Sequence, residues 1–165
     1  MNSEEFQKEY VRVSDRLYTF LLRLTGNSDE AQELLQEAVL RGFRGRRGFR
    51  KEADFSTWLY RIAVNVWKNR LRKSAREQDF QKYMRAVPLN GALTPEDIFG
   101  WNERNRKMDR ALGILEEKYK APLLLQHIEG FTYREIGGML GIDENTARMR
   151  VYRARHAMRT ILEEV

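Results

Sequence analysis

Apolar residues recur at steps of three and four along most of this chain, a period that admits helices and little else. Phe6, Tyr10, Val13, Leu17, Leu21 and Leu24 line one face of a first helix ending at Gly26. Asn27 or Ser28 caps a second, with Asp29 and Glu30 in its first turn, where the helix dipole favours acids. Its stripe is Ala31, Leu34, Leu35, Ala38, Val39 and Phe43; Glu30, Glu33 and Glu37 fall on the other face. Gly42, Gly45 and Gly48 then break the period among arginines, which predicts a frayed helix end and a loop over 42–54. Asp54 or Ser56 caps a third helix through Trp58, Leu59, Ile62, Ala63, Val66 and Leu71. Three helices bury one core, so residues 1–73 form a first domain.

Residues 74–94 are mostly polar and hold Pro88, Asn90 and Gly91, the composition of a linker. Thr94-Pro95-Glu96-Asp97 is a helix start, and the stripe Ile98, Trp101, Met108, Leu112 and Leu115 follows it. Pro122 opens a helix through Leu123, Leu124, Leu125 and Ile128, stopped by Gly130. Thr132-Tyr133-Arg134-Glu135 is a capping box for a short helix through Ile136, Met139 and Leu140, stopped by Gly141. Asp143 caps a last helix with stripe Ala147, Val151, Ala154, Met158 and Ile161. The fold class predicted is all-α: two small helical domains, the second over 95–165, joined by a linker.

Composition narrows the function classes. The chain has 165 residues and no cysteine, which excludes disulfides and thiolate metal sites. Its two histidines, His127 and His156, lie far apart, and no cluster suggests a nucleophile, paired acids or a metal, so no enzymatic activity and no cofactor are expected. The acidic start Met1-Asn2-Ser3-Glu4-Glu5 does not read as a signal peptide, and no apolar run approaches the ~20 residues of a membrane span. A cytoplasmic protein without membrane insertion is expected.

Charge is unevenly placed. Residues 1–40 hold four basic and eight acidic residues, whereas 41–76 hold twelve basic and two acidic. Residues 145–162 hold five arginines and no acid. Two basic segments are read either as two contacts with a polyanion or as solvated helix faces.

A short helix, a turn at Gly141 and a longer helix have the spacing of a helix-turn-helix, whose second helix enters the major groove of DNA. Asn145, Arg148, Met149 and Tyr152 project together from its first two turns, opposite the apolar stripe, with Arg153 and His156 beyond. Arg148 suits a guanine and Asn145 an adenine. Arg153, Arg155 and Arg159 suit phosphates, as do Thr132, Tyr133 and Arg134 at the start of the preceding helix. Gly137 and Gly138 stand inside that helix, which points to close approach of a neighbour. From Phe43 to Trp67, arginines interleave with Phe43, Phe49, Phe55, Trp58, Tyr60 and Trp67. Aromatics beside cations are what single-stranded nucleic acid requires. Trp58 belongs to the core stripe, while Tyr60, Trp67 and Phe49 are less easily buried; a core role for all of them is the other reading.

Three blocks together resemble the extracytoplasmic-function (ECF) sigma factors. The first is Glu30-Ala31-Gln32-Glu33-Leu34-Leu35-Gln36-Glu37, followed by Leu40-Arg41 and Phe43-Arg44. The second runs from Phe55-Ser56-Thr57-Trp58 to Val64-Asn65. The third runs from Leu115-Glu116-Glu117 through Gly130-Phe131-Thr132-Tyr133-Arg134-Glu135 to Arg153-Ala154-Arg155. The resemblance implies a factor that binds core RNA polymerase, at its clamp and flap regions, and reads the −35 and −10 elements of promoter DNA. It gives Glu33, Gln36, Glu37 and Leu40 to polymerase. It gives the loop 48–55, with Arg50 and Phe55, to capture of a flipped −10 base, and Tyr60, Arg61, Asn65, Lys68 and Asn69 to the DNA beside it. It gives Thr132, Tyr133, Arg134, Asn145, Arg148, Met149, Tyr152 and Arg153 to the −35 element. An anti-sigma factor is the further partner it implies. Glu116, Asn145, Met149 and Gly137 depart from the residues usual in the family, and positions 145 and 149 leave the −35 preference open. The alternative is a helix-turn-helix regulator that never touches polymerase; it explains residues 115–162 and no more. An RNA-binding helical protein is a third reading.

Overall fold

In the computed structural model, residues 1–84 and 103–164 are described, with side chains over 1–76 and 106–164. Seven α-helices make up the described residues, which contain no strand: α1 (Ser3–Thr25), α2 (Ser28–Gly45), α3 (Phe55–Met84), α4 (Glu103–Ile114), α5 (Glu117–His127), α6 (Tyr133–Leu140) and α7 (Glu144–Glu164). A single 3₁₀ turn, Arg46–Gly48, follows α2.

Local chemistry sets most boundaries. Asn2 caps α1 in a reciprocal capping box with Glu5, and Gly26 closes it at φ 68°, a left-handed position that costs glycine nothing. Of the two candidates for the α2 cap, Asn27 is the one used: its side chain accepts from the Glu30 amide. Thr132 and Glu135 form the capping box of α6, and Gly141 ends that helix at φ 69°. Asp143 Oδ1 accepts from the Thr146 amide at 2.6 Å at the head of α7.

Three boundaries differ from those the sequence suggests. The helix carrying Pro122 begins at Glu117, so the proline lies inside α5. Lys120 to Leu125 are buried without a break, and burial of that whole segment outweighs the backbone hydrogen bond proline cannot donate. α3 continues to Met84, past the 73/74 boundary and into the stretch with linker composition. Gly42 is buried within α2 rather than loosening its end. The helix start at Thr94–Asp97 and the stripe residues Ile98 and Trp101 lie outside the described residues.

α1, α2 and α3 pack as one bundle and α4 to α7 as another. One hydrophobic core runs through both. At the junction the Tyr60 ring meets Phe20 at 5.3 Å and Phe131 at 5.1 Å, bringing α1, α3 and the α5–α6 turn together.

Candidate polymerase and nucleic-acid interface

The acidic face of α2 forms the first surface. Glu33, Gln36 and Leu40 are exposed and Glu37 is half-buried; Leu40, at 47% exposure, is a large aliphatic side chain left in solvent. Its acids are held by nearby cations: Arg70 of α3 reaches Glu33 at 3.0 Å and Glu37 at 3.6 Å, and Arg41 pairs with Glu37 at 2.5 Å. Exposed pairs of this kind contribute little to stability, so the carboxylates stay accessible to another protein.

The second surface is the loop after α2 and the helix that follows. Phe55, Phe49 and Trp58 cluster with ring centroids 5.0–6.0 Å apart, and Phe6 packs on Phe55 at 5.5 Å. Of this cluster Phe49 and Phe55, together with Glu5, Glu9, Lys51, Glu52 and Asp54, line a pocket of about 390 Å³. Arg50 is exposed beside it. Along α3, Arg61, Asn65 and Asn69 are exposed and Lys68 is half-buried.

Three aromatics in this block are not available as stacking faces, among them Phe55, which the resemblance gives to a flipped base but which is 5% exposed beneath Phe6, Phe49 and Trp58. Tyr60 is fully buried and Trp67 is 5% exposed. Tyr60 donates its hydroxyl to Glu129 Oε2 at 2.8 Å. Burial and the adjacent Glu129 carboxylate drive the Tyr60 pKa far above the ordinary tyrosine range. Its place in the sequence, between the stripe residues Leu59 and Ala63, does not separate core from surface. The bundle of α4 to α7 supplies the cover.

The third surface is the helix-turn-helix. α6 and α7 pack closely because Gly137 has no side chain: a Cβ there would lie 2.7 Å from the Ile142 carbonyl oxygen. Asn145, Arg148, Met149, Tyr152 and Arg153 are exposed along α7, with Tyr152 at 66% and Met149 at 43%. Thr132 and Arg134 are exposed at the head of α6, and Tyr133 is half-buried. The Arg148 guanidinium stands 5.3 Å from the centre of the Tyr133 ring and 3.6 Å from Glu144, so it is positioned by two neighbours. Arg155 departs from the phosphate role suggested by sequence. It donates to Gln126 Oε1 at 2.6 Å on the other side of α7.

A fourth surface goes unrecognised in the sequence. Met108, Leu112, Leu124, Ile128, Met158 and Leu162 line a groove of about 470 Å³ between α4, α5 and α7, with Arg155 and Arg159 at its edge. The apolar stripes place Met108, Leu112, Leu124, Ile128 and Met158 in the core, yet Met108 is 41% and Ile128 44% exposed. A mixed apolar and cationic cleft of this size suits an amphipathic helix from another protein. Among the described residues, no group of histidines and acids could hold a metal ion, and no helix is long and apolar enough to cross a membrane.

Comparison with known proteins covers both bundles. Residues 10–77 match the family description sigma-70 region 2, and residues 105–158 match sigma-70 region 4. SigW of Bacillus subtilis, an ECF RNA polymerase sigma factor, is 32% identical over 92% of this chain and 85% of its own. The SigE factor of Mycolicibacterium smegmatis is also 32% identical over 90% of this chain, which spans 58% of that longer protein. The sigma-E factor of Escherichia coli is 27% identical over 95% and 86%. The fold is shared with the sigma factor RpoE of Bartonella quintana, solved in complex with the anti-sigma factor NepR. That match has a TM-score of 0.82 and 23% identity over 97% of this chain and 98% of that one. CnrH, solved with the cytosolic domain of CnrY, matches at TM-score 0.70 and 18% identity over 99% and 90%.

Proposed function

Because this chain belongs to the ECF RNA polymerase sigma factors, we propose how its surfaces divide the work of binding core polymerase and directing promoter-specific initiation. The two family matches cover both bundles, whereas a regulator that ignores polymerase accounts for the C-terminal one alone. The N-terminal domain, residues 1–73, takes the polymerase clamp on Glu33, Gln36, Glu37 and Leu40. The C-terminal domain, residues 95–165, takes the flap in the groove around Leu112 and Ile128 and reads the −35 element with α7. The loop 48–55 and α3 serve the −10 element. Residues 74–94, whose first part continues α3 to Met84, connect the two. Factors of this kind are regulatory and act on DNA in the cytoplasm, and an anti-sigma factor is the expected restraint.

The single observation that carries the polymerase reading is Leu40, 47% exposed among the acids of α2. A solvated aliphatic side chain one turn from Glu37 and Gln36 is a docking point for a protein rather than for a polyanion. Leu40→Asp and Ile128→Asp change exposed residues and leave the cores intact. Each is expected to lower capture of core polymerase, and both together to abolish promoter-specific transcripts in a reconstituted reaction. Undiminished capture by the double variant would refute the assignment.

Energetics require the polymerase. Lost stacking costs ~1.4 kcal/mol per base-pair step, so a bubble of roughly a dozen pairs costs on the order of 15 kcal/mol. Stacking a flipped base on protein returns ~1–3 kcal/mol. Capture of one or two bases at the pocket walled by Phe49, Phe55 and Asp54 falls well short of that cost. The isolated factor is therefore expected to leave promoter thymines unreactive to permanganate, while the holoenzyme exposes them.

A further inference from the structure

The outward face of α7 has an apolar centre. Ala147, Val151, Ala154 and Met158 bury the other side of the helix against the domain. At about 3.6 residues per turn, Met149 falls opposite that buried stripe, with Asn145 one turn before it and Arg153 one turn after it. Tyr152 is its neighbour on the helix surface. Of the large apolar side chains left in solvent, Met149 at 43% and Tyr152 at 66% are the ones on α7. Around them stand groups that hydrogen-bond: Asn145, Arg148, Arg153 and His156, all exposed. Arg148 is held to one side by the Tyr133 ring at 5.3 Å and by Glu144 at 3.6 Å. The side chain that points most directly away from the domain is therefore methionine, which has no hydrogen-bond donor and only a weak acceptor.

We propose that Met149 reads a thymine: its side chain packs on the C5-methyl group of one thymine in the −35 element, so that this factor favours an A·T pair there in one orientation. The proposal rests on the assignment of α7 to the −35 element made above. Each base pair shows the major groove a distinct set of groups, and the thymine methyl is the one alkyl group among them. The rest are hydrogen-bond donors and acceptors. The N7 and O6 of a guanine, or the amino group of a cytosine, set against Met149 would lose water and gain no partner. The thioether chain is unbranched and turns at several bonds, so it follows a methyl whose place shifts with the shape of the DNA. Tyr152 widens the apolar surface that this methyl meets. The arginines of the same face hold any DNA through its phosphates, in a salt-dependent way. An uncharged contact at their centre adds sequence preference without adding to that general affinity.

Deoxyuridine pairs as thymidine does and lacks only the methyl. Holoenzyme made with the full chain first selects duplexes from a pool randomised over both promoter elements. Each thymine of the selected −35 element, on either strand, is then replaced singly by deoxyuridine, and binding is measured by competition. At one position the replacement is expected to weaken wild-type holoenzyme about three- to fivefold, the worth of one buried methyl-sized group. The same loss is expected at low and at raised salt, because no phosphate is involved. Met149→Leu is expected to keep the penalty. Met149→Ala is expected to bind the thymine and deoxyuridine duplexes alike; alanine is the best helix former, so α7 stays intact. A selected −35 element without thymine, or a wild type indifferent to deoxyuridine at every position, overturns the proposal, and so does a penalty that persists undiminished in Met149→Ala. Arg148→Ala on the same duplexes tests the helix itself. Relaxed preference at a −35 position without any deoxyuridine effect leaves α7 assigned and removes Met149 alone, whereas no change anywhere removes α7 from the −35 element.

Discussion

Tyr60 donates its hydroxyl to Glu129 Oε2 at 2.8 Å across the seam between the two helical bundles. The same oxygen receives Arg16 at 2.9 Å. Hydrogen bonds to a charged group contribute about 1.5–3 kcal/mol, so Tyr60→Phe is expected to lower stability to urea by that amount. Its pH dependence has a definite sign. The Tyr60 pKa is raised by burial and by Glu129, so above the ordinary tyrosine value the folded chain binds more protons than the unfolded one. Stability falls as pH rises beyond about 10, and Tyr60→Phe is expected to flatten that fall. Urea melts at several alkaline pH values measure both effects.

Asp109 of α4 is 7% exposed, and its Oδ2 is buried without a hydrogen-bond partner. Burial raises its pKa from 3.8 to about 6, against the opposing pull of Arg23. A raised carboxyl pKa means that ionisation disfavours the fold. Stability is therefore fullest below about pH 4, falls as pH rises to about 6, and is flat above. Each pKa unit represents ~1.4 kcal/mol; the full shift is an upper bound, and residual solvent access brings the expected gain for Asp109→Asn at pH 7 to about 1–2 kcal/mol. Thermal melts from pH 4 to pH 7 would refute this if the variant kept the wild-type slope.

Adjacent glycines in α6 are expected to respond oppositely to alanine. At Gly137 the new Cβ meets the Ile142 carbonyl oxygen at 2.7 Å, and a backbone atom in the helix-turn-helix turn cannot yield. Overpacking of this kind costs ~1–3 kcal/mol, more than the ~1 kcal/mol that alanine gains in helix propensity. At Gly138 the Cβ meets only the tip of Arg61, which can move, so alanine there is expected to be neutral or stabilising by up to ~1 kcal/mol. Calorimetric melting of the two variants distinguishes the cases.

On α7, Arg148 is positioned by Tyr133 and Glu144, while Arg153 is free of both. Arg148→Ala is expected to cost ~1–3 kcal/mol at one base pair of the −35 element and to relax preference there. Arg153→Ala is expected to weaken all sequences alike and to reduce the salt slope by about 1. Competition binding of holoenzyme to promoters varied singly at each −35 position, at two salt concentrations, measures both.

The helices and their ends were legible in the sequence wherever the cause was local. Asn27, the Thr132–Glu135 box, Gly26 and Gly141 act on backbone groups within a few residues, and each sits where its chemistry placed it. Pro122 misled because local chemistry opposed a helix that burial of Lys120–Leu125 imposes. The groove around Ile128 went unseen because a stripe position reads the same whether or not a neighbour covers it.

Sequence by itself determined an all-helical chain and the side chains α7 leaves exposed, since periodicity and capping are short-range. Only the tertiary structure decided that Tyr60 and Trp67 are interior, that Glu129 ties α1 to α3, and that Lys68 bonds the end of α6 while the exposed Arg61 lies against Gly138. Those outcomes depend on contacts up to 113 residues apart in the chain, and a pattern read within one helix carries no information about what the rest of the molecule brings against it.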